Sequence, residues 1–124
     1  MRAACTIWSA TLLGLGLSSP VSAAENELSP ADLTQTIRST CTACHNDITK
    51  DQFAGLSLQH YDVARAAELA PLTEKMIVKL RAGMMPPPGM PRPSESVMDT
   101  LVETLESEVD RAAAENPNPG HRKL

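Results

Sequence analysis

Residues 84–93, "MMPPPGMPRP", place five prolines in ten positions. Proline fixes φ, lacks an amide donor and clashes with the preceding helical turn. No regular helix or central strand therefore passes through this tract, and the chain divides into what folds before it and what folds after it. After it, Ser94 or Ser96 offers an N-cap for a helix running to about Ala114. Val97, Met98, Leu101, Val102, Leu105 and Val109 form the stripe that this helix should bury. Glu103, Glu106, Glu108 and Asp110 fall mostly on its wet side. Before the tract, the spacing predicts a helix from about Pro71 to Ala82. There Leu72, Met76, Ile77 and Leu80 share a face, and Lys75, Lys79 and Arg81 gather toward the C-terminal end, where cations suit the helix dipole. Gly83 is a natural stop.

Further upstream, Ser29-Pro30-Ala31-Asp32 reads as a helix start. Ser29 can cap, Pro30 suits the first helical position, and Asp32 stands three residues after the cap as in a capping box. Leu33 and Ile37 give that helix a short apolar stripe, and it should run into Cys41. Residues 46–59, "NDITKDQFAGLSLQ", keep no steady period and read as a loop. A short helix is allowed over 61–69. With no period-two alternation and no internal repeat, the fold class is all-α, one domain over residues 25–115.

The front end stands apart. Met1-Arg2, the apolar residues 3–17 and the small-residue segment "SSPVSAAEN" make residues 1–24 a secretory signal peptide, cut after Ala23 or Ala24. The run is too short, and too broken by Gly14, Gly16 and Pro20, for a membrane span. The expected location is thus exported, in the periplasm or cell envelope, with no stable membrane span after cleavage. Cys5 leaves with the leader. The remaining chain keeps ten basic and fifteen acidic residues, a net charge near −5. It has no basic stripe and no aromatic platform, which argues against a nucleic-acid partner. Residues 116–124 read as an exposed tail or the start of a linker.

Trp8 also leaves with the leader, so only Phe53 and Tyr61 remain as aromatics. A domain of this size buries a modest fraction of its surface. Without large aromatic side chains its core is expected to be thin, unless a bound cofactor or the rest of a larger protein adds apolar bulk. An aliphatic core of Leu, Val, Ile and Met is the simpler alternative.

Residues 40–47, "TCTACHND", supply the chemistry. Cys41, Cys44 and His45 lie within five positions, and the i, i+3 and i, i+4 spacings put them on one side of a helical turn. C-x-x-C-H is the pattern of c-type haem attachment. Two thiols add to the two vinyl groups on one edge of the porphyrin, and the adjacent imidazole reaches the iron. Covalent attachment holds the ring even in a domain too small to enclose it. Rival readings fit less well. A thioredoxin-type pair belongs near a βαβ unit. A zinc site needs about four ligands, and His60 and His121 are not paired. A disulfide would leave His45 unexplained.

An electron-carrying haem iron usually takes a second protein ligand, and His/Met ligation raises its potential. Candidates are Met76, Met84, Met85, Met90, Met98, His60 and His121. Met76 and Met98 read better as core filler, His121 lies in the tail, and His60 reads as a surface or capping residue. In the proline loop, Met85 precedes Pro86 and is pushed toward an extended backbone. Gly83 and the prolines would make it a stiff knob. Met90, before Pro91, and Met84 stay open as competitors. Arg81 offers either a counter-charge for a propionate or an ordinary solvated helix end.

These pieces together resemble a small class I-type cytochrome c domain. More narrowly, "CTACHND", "FAGLSL", "KLRAGMMPPPGMPRP" and "LESEVDRAAAENPNPGHR" resemble the N-terminal cytochrome c-like module of large exported multidomain proteins of planctomycetes and related bacteria. The resemblance implies helices packed around one covalent haem, with Cys41 and Cys44 as attachment points and His45 and Met85 as axial iron ligands. It implies a monohaem carrier of single electrons with a redox partner protein, and no enzymatic activity. The relatives continue beyond the "NPNPG" segment into long further domains. The alternatives are an electron-entry module for a larger enzyme, or a haem sensor with an open sixth position.

Overall fold

The computed structural model describes residues 27–117. The leader, His121 and the end of the tail lie outside the described residues. Three helices, α1 (Pro30–Thr40), α2 (Ala70–Arg81) and α3 (Glu95–Glu115), are joined by loops that carry two 3₁₀ segments, Lys50–Gln52 and Val63–Leu69. The described residues contain no strand, so the chain is all-α as expected.

Local chemistry sets the starts of α1 and α3 and the end of α2. At α1 the Ser29 hydroxyl accepts the Asp32 amide at 3.2 Å, and the Asp32 carboxylate accepts the Ser29 amide at 2.9 Å. These are the reciprocal bonds of a capping box. The Ser29 hydroxyl and amide hold the Asp32 carboxyl below its ordinary value. At α3 it is Ser94 that caps, accepting the Val97 amide. At α2 the last turn closes on Gly83, whose φ of +65° suits a residue without Cβ. The Gly83 amide donates to Leu80 and the Met84 amide to Lys79, a Schellman ending that satisfies carbonyls the helix cannot.

The core is aliphatic. Leu33, Ile37, Leu58, Val63, Ala66, Met76, Leu101 and Leu105 surround Tyr61, the sole buried aromatic among the described residues. Phe53 stays on the surface. α3 lies against α2 and the second 3₁₀ segment, and also touches α1. Its buried stripe is Leu101, Val102, Leu105 and Val109, while Val97 and Met98 are only half-buried near the helix start. Cys41, Leu56, Leu72, Ile77 and Leu80 pack half-covered around the core.

Two threonines tie the helices in ways hydrophobic spacing does not reveal. Thr34 of α1 accepts the Val63 amide at 3.0 Å while donating to Pro30. Thr73 of α2 is fully buried; it meets the Tyr61 hydroxyl at 2.7 Å and donates to the Ala66 carbonyl at 2.8 Å. The segment allowed as a short helix is the 3₁₀ stretch Val63–Leu69. Asp62 caps it through the Ala64 amide, and non-helical torsions at Arg65 interrupt it. With Val63 and Ala64 amides already bound to side chains, no α-helical ladder extends back from here. The loop over 46–59 also contains the turn Lys50–Gln52, followed by two residues with positive φ, Ala54 and Gly55.

The α2 end corrects two expectations. Arg81 is not a free solvated cation. Its Nε and Nη2 grip Glu106 of α3 at 2.9 and 2.6 Å. Glu106 accordingly is not simply on the wet side but joins the two helices. The pair is open to solvent, so screening leaves it to set the register of the two helices more than to add net stability.

Candidate cofactor attachment site

Cys41, Cys44 and His45 continue the buried side of α1. Leu33 and Ile37 are fully buried, and Cys41, four residues on, packs half-covered against the same core. The helical turn continues through the motif: the Cys44 and His45 amides both donate to the Cys41 carbonyl, at 3.2 and 2.9 Å. The three side chains therefore stand on one turn at the edge of the core. Both cysteines are free thiols. Burial, and secondarily the neighbouring Cys44, push the Cys41 thiol up to about 11.

His45 is held from several sides. Its carbonyl accepts the Leu58 amide at 2.8 Å, which ties the motif to the far end of the adjoining loop. Phe53 sets its ring edge-on to the imidazole, with centroids 5.9 Å apart. Nδ1 is buried and has no hydrogen-bond partner. A buried polar nitrogen left unpaired costs free energy, so this ring is one that gains from a further partner.

Asn46 organises the turn just beyond the motif, and hydrophobic spacing does not single it out. Its side-chain oxygen accepts the Ile48 and Thr49 amides at 2.9 and 3.0 Å, and its amide donates to the Thr42 carbonyl. Thr49 in turn donates to the Cys44 carbonyl at 2.6 Å. An Asn with Thr three residues later is a local turn signal that the sequence carries. Asp47 completes the frame. The Ser57 hydroxyl above all, with smaller help from His60 and Lys50, holds its carboxyl below the usual range. His60 is exposed and sits 3.5 Å from Asp47, a surface role as expected.

The methionines separate by environment. Met76 is buried in the core and Met98 is half-buried, as filler should be. In the proline loop, Met84 is 51% exposed and its sulfur lies 3.7 Å from Lys79 Nζ, while Met90 is 49% exposed. Met90 ends a turn in which its amide donates to Pro87 and Gly89 has φ +86°. Met85 is the half-buried one, and the Met85–Pro86 peptide is cis. No hydrogen bond among the described residues joins Met85 to the motif turn.

A cavity of about 450 Å³ opens between the end of α2 and the start of α3, lined by Leu80, Arg81, Gly83, Arg92, Met98 and Val102 among others. None of Cys41, Cys44, His45 or Met85 lines it, and two of its cations are engaged elsewhere, so the chemistry-bearing turn is the stronger candidate. Among the described residues no three His, Cys, Asp or Glu side chains are grouped to hold a bare ion. Two thiols and one imidazole on one turn are a donor set that suits a metal carried in by its own ring of ligands. No family model, curated protein or solved structure matches the chain.

Proposed function

We propose that the chain is a monohaem c-type cytochrome domain that carries single electrons in the cell envelope, exchanging them with a redox partner rather than catalysing a reaction of its own. One observation carries the reading: C-x-x-C-H lies on a single turn with two free thiols and a buried imidazole nitrogen that has no partner. Cys41 and Cys44 present the sulfurs that would form thioethers. His45 would hold the iron through an imidazole nitrogen and Met85 through its thioether sulfur. Haem, when bound, contributes an iron that changes by one electron between two stable states.

The rest of the chain holds those donors. Phe53 and the Leu58 amide fix the imidazole and its backbone, and Asn46 locks the turn beyond it. Half-covered Cys41, Leu56, Ile77 and Leu80 offer apolar surface that an added flat apolar group would cover. Met85 is favoured over Met84 and Met90 because it alone of the three is half-buried. A Met85 sulfur on the iron would favour an electron carrier over a sensor. The leader read over residues 1–24 supports the envelope location.

A pyridine haemochrome spectrum of the protein made in a host with haem-attachment machinery tests the reading. Bands of a c-type haem are expected, and their absence refutes it. Met85→Ala should abolish the far-red Met–iron absorbance and let the reduced protein bind carbon monoxide. If Met90→Ala does so instead, the ligand assignment is wrong.

A further inference from the structure

We propose that Arg92 is the positioning residue for Met85, clasping the backbone of the proline loop so that this methionine, and neither neighbour, is offered to the iron; the inference rests on the function proposed above. The chain leaves α2 at Gly83 and comes back at Arg92, whose guanidinium reaches across the base of the loop. Nη1 donates to the Gly83 carbonyl at 3.2 Å and the Pro86 carbonyl at 3.0 Å, and Nη2 donates to the Met85 carbonyl at 3.1 Å. The held carbonyls lie on both sides of Met85 and on the residue itself.

The composition of the loop explains why a side chain does this. Pro86, Pro87 and Pro88 have no amide to donate, so the loop cannot close upon itself by a backbone ladder. Its carbonyls need an outside donor, and a planar guanidinium with five N–H groups reaches several at once. Met84 is committed to the helix ending through its amide and lies beside Lys79 through its sulfur. Met90 stands at the far end of the Pro87–Met90 turn. Met85 is the loop methionine whose own carbonyl is clasped.

The test compares Arg92→Ala and Arg92→Lys with the parent haem protein, with Met85→Ala as reference. Three properties are read: the pH at which the far-red Met–iron band disappears, carbon monoxide binding to the reduced protein, and hydrogen exchange of the Met84 and Met90 amides. Arg92→Ala should lower the pH of band loss by about one unit and raise carbon monoxide affinity about tenfold, the equivalent of about 1.4 kcal/mol. Both loop amides should exchange faster. Arg92→Lys should fall between, since one ammonium cannot span three carbonyls. If Met85→Ala removes the band while Arg92→Ala leaves band loss and carbon monoxide binding unchanged, the positioning role is overturned and the carrier reading stands. If Met85→Ala keeps the band, the ligand assignment falls and this inference with it. Unchanged amide exchange in Arg92→Ala refutes the clasp whichever residue ligates the iron.

Discussion

Cys41 should be a slow nucleophile in the folded, haem-free chain, and the size of the effect comes from its surroundings. Burial against Leu33, Ile37 and their neighbours raises the thiol from 9.0 to about 11, with Cys44 a lesser cause. At pH 8 the raised thiol holds about 100-fold less thiolate than an ordinary one. A more basic thiolate is intrinsically more nucleophilic, with a Brønsted slope of about 0.4–0.5, which restores roughly eightfold. Alkylation of folded Cys41 should therefore run about tenfold slower than in the unfolded chain, before restricted access slows it further. The assay is iodoacetamide labelling at pH 8 of a Cys44→Ser variant, native and in urea, with mass spectrometry as the readout. Because desolvation is the larger cause, removing Cys44 leaves most of the protection. Equal rates in the two states would refute the reasoning and show that Cys41 does not pack on the core. On the proposed function, slow folded-state reactivity means that thioether formation at Cys41 should proceed fastest before α1 docks.

Other outcomes are equally specific. Thr73→Val leaves the Tyr61 hydroxyl buried without its partner and should cost about 1–3 kcal/mol in urea unfolding, with Tyr61→Phe in the same chain recovering part of it. Ala54 holds φ at +62°, so Ala54→Gly should stabilise by about 0.5–1 kcal/mol once the greater freedom of the unfolded chain is subtracted; thermal unfolding reads it. Asp32 is held below its ordinary carboxyl value by Ser29. Its contribution is therefore full above the ordinary carboxylate range and is lost as pH falls through the lowered value. Asp32→Asn should flatten the acid limb of the stability profile, measured by circular dichroism from pH 6 downward.

Contacts within one turn were legible in the sequence. Ser29 with Asp32, Gly83 after α2 and Ser94 before α3 each set a helix boundary by contacts of three or four residues, and each stands where local chemistry puts it. Leu33 and Ile37 are buried because two apolar residues four apart on a capped helix have one face to share. The contacts that escaped reading span the fold. Arg81 meets Glu106 across 25 positions, and Thr34 meets Val63 across 29. Nothing local distinguishes those polar residues from solvated ones. The relative burial of Met84, Met85 and Met90 escaped for the same reason: it depends on how the loop returns to α2. Asn46 is different. Its turn is local, and the Asn and Thr that build it stand three residues apart, but an aperiodic stretch hides them among other polar residues.

The clasp at the base of the proline loop also makes its tip a handle. Gly83, Met85 and Pro86 are pinned, whereas the Pro87–Met90 turn projects outside the pinned span. Closure entropy grows slowly, roughly 0.6 kcal/mol for each doubling of a flexible loop. Residues inserted between Pro88 and Gly89 should lengthen the tip while the pinned carbonyls stay in register. A fluorophore or a surface tether grafted there would sit a few residues from Met85 without sharing its backbone restraints; on the proposed function, it is an attachment point for wiring this small domain to an electrode.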